Sequence, residues 1–192
     1  MLNKIKNLRE KTGAGIVDVK KALSEAGGDE AKAVEMLRKL GQAKASKKSE
    51  RTAREGVIVS YVHSNKKVGA MVKLCCETDF VARNSEFIEL ARDIAMHITA
   101  MNPKYINSED VPAEIVEKEK EIWTAQAENE KKPREIMEKI LEGKEKKFRE
   151  EISLMSQPYI KNPEITVSQL IAEKIGKIGE NIQIAGFSRL EL

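Results

Sequence analysis

Two cysteines and two histidines are the chain's whole stock of thiols and imidazoles, and their placement decides which chemistries are open. Cys75 and Cys76 are adjacent, whereas a disulfide or a zinc site needs separated thiols that converge in space. On a strand, consecutive side chains leave opposite faces, so one of the pair is expected inward and the other outward. His63 falls at a hairpin turn and His97 on the apolar side of a helix, which leaves no nucleophile with a base in reach. Glu109 and Asp110 precede a helix, where negative charge is favourable without any acid–base role. No GxxxxGK[ST] occurs, and Gly13, Gly15, Gly176 and Gly179 do not form a dinucleotide fingerprint after a strand. No cofactor, metal or bond-breaking activity is expected. What remains is "CCETDFVARNSEF", Cys75 to Phe87, where an apolar run ends and Asp79 and Phe80 stand side by side. Local rules make Phe80 a core anchor for the following helix and Asp79 its cap. The alternative is a ring and a charge presented to another molecule.

The elements that position these residues follow from pattern. The chain has 192 residues, 41% hydrophobic and 34% charged, with 34 Lys plus Arg against 31 Asp plus Glu, enough for one ordinary domain and a small companion. No leader-like or eighteen-residue apolar stretch occurs, so a cytoplasmic protein without membrane contact is expected. Apolar residues at helical spacing give three short helices from Ile5 to Leu40, broken at Gly13 and Gly15 and at Gly27 and Gly28, with Asp29 as a cap. This is a three-helix module over residues 1–40. "GQAKASKKSERTAREG" follows and reads as a linker or a solvated helix extension over 41–55. Its Lys44, Lys47, Lys48, Arg51 and Arg54 outweigh Glu50 and Glu55, and the rest of the chain balances. Those cations make RNA binding one reading, but aromatic residues are only 4% of the chain, which leaves little for base stacking.

Residues 56–192 then form the main domain. "VIVSYVHS" and "VGAMVKLCCE" flank the turn "NKK" as a hairpin of two strands. Phe87, Ile88, Ala91, Ile94, Ala95 and Ile98 recur at helical spacing behind a cap at Asn84 or Ser85. From about 112 to 156 an Ala-, Glu-, Lys- and Ile-rich segment broken at "ENEKKP" predicts an antiparallel helical hairpin. In it Ile115, Ile122 and Trp123 face Ile136, Ile140, Leu141 and Phe148, while Glu119, Lys120 and Lys139 face water. "SQPYIKNPEI" reads as a turn, Val167 to Ile178 as a helix, and "NIQIAGFSRLEL" as a third strand. The fold class is therefore α+β, with a three-stranded antiparallel sheet and helices on one face. The other face would still need covering.

Four stretches together resemble the translation elongation factor Ts family. They are "LREKTGAGIVDVKKAL" with "GGDEAKAVEMLR", "YVHSNKKVGAMVKL", "ETDFV" after a strand, and "EGKEKKFREEISLMSQPYI". The resemblance spans nearly the whole chain, and "ETDFV" is its most specific part. It implies a ubiquitin-associated-like N-terminal module and a guanine-nucleotide exchange factor that binds elongation factor Tu carrying GDP. It implies exchange without bond chemistry. By position in the motif, Thr78, Asp79, Phe80 and Val81 are implied to disturb the partner's magnesium and phosphate region, Phe80 as a wedge and Asp79 as a charge. Arg9, Ile16 and Val17 are implied to dock on the partner's GTPase domain, and His63 to approach a different domain. For these residues the local readings are a core role for Ile16 and Val17, a solvated face for Arg9 and a wet turn for His63. Longer family members carry two sheet-and-helix units and this chain has room for one, so a homodimer through the sheets is the expected short form. The competing reading is an adaptor that uses the three-helix module to bind some other polypeptide.

Overall fold

The apolar period changes from helical to alternating at Gly56 and back at Asn84, and the computed structural model changes with it. It describes the backbone of residues 2–129 and 134–192, and side chains outside 127–136. The architecture is α+β and divides into two units, residues up to Thr99 together with Ser168–Leu192, and Ala100–Val167. Among the described residues, no helix is long and apolar enough to cross a membrane.

The first unit opens with α1 (Leu2–Thr12), α2 (Ile16–Glu25) and α3 (Glu30–Lys48). Ile5, Leu8, Val19, Ala22, Leu23, Ala33 and Leu37 form their common core. Asp29 caps α3 by accepting from the backbone N–H of Ala31 at 2.9 Å and of Lys32 at 3.2 Å. So few buried side chains make a marginal core. The module leans on α8 (Val167–Ile178): Arg38 lies 3.7 Å from Glu173, and a Cβ added to Gly13, where φ is +64°, would come within 3.1 Å of the Lys177 side chain. α3 does not end at Leu40. "GQAKASKK" holds good helix formers and no proline, so the helix extends through Lys48 and only the short segment after it is irregular.

β1 (Glu55–Val62), β2 (Val68–Cys76) and β5 (Gln183–Glu191) form an antiparallel sheet in the order β1-β2-β5. Register places Val59 opposite Val72 and Phe187 opposite Val72 on its other side, all on one face. Val72 and Leu74 are fully buried there. α4 (Asp79–Ala82) and α5 (Ser85–Met101) follow β2. α5 buries Phe87, Leu90, Ala91, Ile94, Ala95 and Ile98. Arg189, which shares the buried face with its register partner Ala70, donates to the Thr99 carbonyl of α5 at 3.0 Å. That bond places α5 on the buried face. Asn84 caps α5 by accepting from the Glu86 N–H at 2.8 Å, and His97 is fully buried in the helix. On the opposite face Ile58, Val62, Met71 and Leu190 are exposed.

Cys75 and Cys76 leave opposite faces of the strand, yet both thiols are buried and free, so the outward one does not reach water. The outer face is closed at that end of the sheet. Gln183, the cross-strand partner of Cys75, donates to the Ser49 carbonyl at 3.1 Å, which brings the segment after α3 over this corner. Gly56, opposite Cys75, also lies too close for a side chain: a Cβ there would be 2.2 Å from the Leu74 carbonyl oxygen.

In the second unit α6 (Ala113–Asn129) and α7 (Arg134–Ile152) pair as a helical hairpin. Trp123 and Phe148 meet edge to face with ring centroids 5.6 Å apart, a geometry aromatic pairs favour. Ile115, Ile140 and Leu141 are half-buried. Ile122, placed in the seam by sequence, is 51% exposed, and the more regular period is set by Val116 and Trp123. Lys120, assigned to the wet face, crosses to Glu145 at 2.5 Å instead. Pro133 and the side chain of Ile136 lie outside the described residues. Beyond α7, β3 (Pro158–Tyr159) and β4 (Asn162–Thr166) form a two-stranded ribbon within the segment read from sequence as a turn.

Candidate functional site

The signature begins where β2 runs out. Thr78 is extended (φ −126°, ψ 156°) and its hydroxyl accepts from the Val81 N–H at 3.4 Å, capping α4. A hydroxyl at this position satisfies an N–H that has no partner inside the helix. Thr78 is thus the cap, and Asp79 is the first helical residue. The Asp79 carboxylate lies 3.0 Å from the Arg83 guanidinium one turn on, and both remain open to water. Because α4 is a single turn, the side that packs on β1 and β2 is supplied by Ala82, which is buried. Val81 is half-buried, and Phe80 points away with 81% of its surface exposed. Phe80 is therefore not a core anchor. Phe87, fully buried at the start of α5, has that place.

The turn is held from outside by the loop between α8 and β5. Glu180 accepts from the N–H of Glu77 at 3.1 Å and of Thr78 at 3.0 Å through Oε2, and from the Thr78 hydroxyl at 2.7 Å through Oε1. The Asn181 N–H answers with a 2.7 Å bond to the Glu77 carboxylate. Asn181, itself buried, donates its amide to the Arg51 carbonyl at 2.7 Å. Arg51 in turn lies 3.6 Å from Glu77. Beneath the turn Cys76 donates its thiol to the Thr78 carbonyl at 3.2 Å. Burial, with the nearby Glu180 carboxylate adding to it, pushes the Cys76 pKa up to about 11. The thiol is protonated at neutral pH and unsuited to nucleophilic or metal chemistry.

The remaining candidates lie elsewhere. His63 is exposed where β1 ends; its N–H donates to the Val68 carbonyl at 2.9 Å and its Nδ1 is 3.3 Å from the Tyr61 hydroxyl. β2 separates it from the signature turn, and nine strand residues span roughly 30 Å. Ile16 and Val17 open α2 with 46% and 75% of their surfaces exposed, and Arg9 is exposed on α1. Neither aliphatic is a core residue; Val19 fills that role. Of the five cations after Leu40, Lys44 is 2.6 Å from Asp18, Lys48 donates to the Gly179 carbonyl and Arg51 pairs with Glu77. Three of the five are engaged by the chain itself.

Sequence reasoning missed Glu180 and Asn181. Their signal was a Gly-Glu-Asn punctuation between a helix and a strand, which marks a loop but not the turn, 102 residues away in the chain, that it grips.

An α+β molecule with a helical module, a one-faced sheet and an aromatic ring held outward on a braced turn is thus defined. Residues 5–192 match the family described as Elongation factor TS. Among curated proteins the chain is 55% identical to "Elongation factor Ts" of Carboxydothermus hydrogenoformans, covering 98% of this chain and 87% of that one. It is 54% identical to the proteins of that name from Thermodesulfovibrio yellowstonii and Pseudothermotoga lettingae, covering 98% of this chain and 94% and 95% of theirs. The chain belongs to the elongation factor Ts family.

Proposed function

We propose that this protein is a guanine-nucleotide exchange factor in translation elongation: it binds elongation factor Tu carrying GDP, disturbs the magnesium and phosphate site, and promotes GDP release so that GTP can enter. The observation that carries this reading is Phe80, a large apolar side chain left in water on a short, capped and externally braced turn. A free ring of this size on a fixed backbone suits insertion into a partner's pocket, since little ordering cost falls on the docking step. The energetics need only reciprocal linkage. A factor that holds the nucleotide-free partner more tightly than the GDP form weakens GDP by the same ratio. Asp79, beside the ring, supplies a charge able to rearrange hydrogen bonds near the ion. Arg9, Ile16 and Val17 form an exposed edge of the module suited to a second contact, and His63 to a third at the far end of β2.

Mixing the protein with elongation factor Tu loaded with fluorescent GDP tests the reading. Accelerated release is expected, and release at the spontaneous rate overturns it. The exposed apolar face of the sheet, with Ile58, Val62, Met71 and Leu190, supports the homodimeric assembly, in which two such faces cover each other. The adaptor reading draws on the same module but gives Phe80 no task.

A further inference from the structure

We infer that Glu180 is a positioning residue for exchange: its carboxylate fixes the Glu77–Thr78 backbone, and through it the direction in which Phe80 leaves the protein. This rests on the proposed exchange function. Three features of the geometry argue for it. Both carboxylate oxygens are used, one shared by two consecutive backbone N–H groups and the other taken by the Thr78 hydroxyl. Bonds from N–H groups to an ionised carboxylate are stronger than neutral ones. The same hydroxyl also caps α4, so one side chain orients both the strand end and the helix that carries Phe80. The grip is reciprocal as well, because the Asn181 N–H binds the Glu77 carboxylate. Two neighbouring loops thus hold each other by their acids and amides.

β2 ends at Cys76, and α4 is too short to orient itself through its own helical hydrogen bonds. Without Glu180 the turn keeps its Thr78 cap but loses three bonds that fix its angle to the sheet. Phe80 would then sample many directions, and docking would have to order it each time.

The test uses release of fluorescent GDP from elongation factor Tu across a range of factor concentrations, together with amide hydrogen exchange of the free factor. Glu180→Ala is expected to lower the exchange efficiency about tenfold, the scale of one lost charge-assisted bond. It should speed amide exchange at Glu77 and Thr78 while leaving the amides of α5 protected. Glu180→Gln is expected to recover most of the loss, because its carbonyl oxygen still accepts from both N–H groups and its amide can donate to the Thr78 hydroxyl. In a Phe80→Ala background, Glu180→Ala should cost much less than in the parent, since a positioning residue acts only through what it positions and only Asp79 then remains on the turn. If Glu180→Ala does not fold, Glu180→Asp, which keeps the charge on a side chain too short to reach all three donors, carries the test through the same amide signals and rates.

Additive losses in the double variant, or an unchanged rate with freed Glu77 and Thr78 amides, would overturn the inference. Failure of the parent protein to accelerate GDP release overturns the exchange reading instead, whereas full activity in Phe80→Ala beside an active parent overturns the inference alone. The two failures are therefore distinguishable.

Discussion

Phe80 and Cys76 are four residues apart and represent opposite solutions to presenting a side chain. Phe80 is exposed because a one-turn helix has a single side to spend on packing, and Ala82 occupies it. Removing the ring therefore leaves no cavity. Phe80→Ala is expected to keep the melting temperature of the parent and to slow GDP release by roughly tenfold to a hundredfold, the range of a central interface anchor. A variant that unfolds while its folded fraction exchanges normally would return Phe80 to the core. Cys76 is buried with its pKa at about 11, and Cys75 is buried beside it. A thiol-reactive disulfide reagent at neutral pH should find neither in the native protein and both after denaturation. The ring was legible in the sequence as a candidate, because a large aromatic next to an acid at a strand end breaks the local pattern. The burial of both cysteines was not. Alternation assigns faces, but only the chain crossing over a face decides which of its residues stay wet.

At the scale of elements, the three strands of the main sheet, α5 and α8 could be read from period and punctuation, whereas the β3–β4 ribbon lies in a segment that reads as a turn. The helical hairpin was harder. Its composition offers several stripes of similar apolarity, so Val116 and Trp123 took the seam while Ile122 was left outside. Lys120 crosses the hairpin to Glu145, which also receives Arg149 at 2.9 Å, and Arg149 bonds the Ser108 and Val111 carbonyls at 3.2 Å. Charge balance in a sequence says nothing about such partners. The Lys120 hydrogen bond first, and Arg149 second, hold the Glu145 carboxyl below its ordinary value of 4.5. A depressed carboxylate adds stability that is complete above its unfolded pKa and is lost as pH falls through the lower folded value. Acidification below about pH 4 should therefore loosen the α6–α7 pairing, by about 1 kcal/mol or less for a network that is only partly buried. Amide exchange in α6 and α7 measures this. Glu145→Gln should show the loosening already at neutral pH and little further change on acidification.

For the whole molecule, the sheet has one face under α5 and one face in water. The sequence already implied this imbalance, because three strands and one long apolar helix cannot cover both sides. Ile58, Val62, Met71 and Leu190 are exposed together on the open side, and such a cluster favours self-association. Sedimentation of the parent should give a dimer, and Met71→Glu should give a monomer whose circular dichroism is unchanged. A monomeric parent would remove the homodimer from the proposal. What the sequence could not supply at this scale was the clasp between the loop after α8 and the turn after β2, a contact between residues 102 positions apart in the chain and with no periodicity.

The strand order β1-β2-β5 also has a bearing on how the protein is made. β2 is the central strand, yet one of its two neighbours is synthesised about a hundred residues after it, beyond the entire helical hairpin. During translation the β1–β2 pair emerges with an unpaired, Val- and Leu-bearing edge that only β5 can close. Open edges of this kind recruit other strands. Ribosome stalling or premature termination after the helical hairpin would therefore release a nascent chain with an aggregation-prone rim, and the factor's own yield would depend on how quickly that last pairing is made.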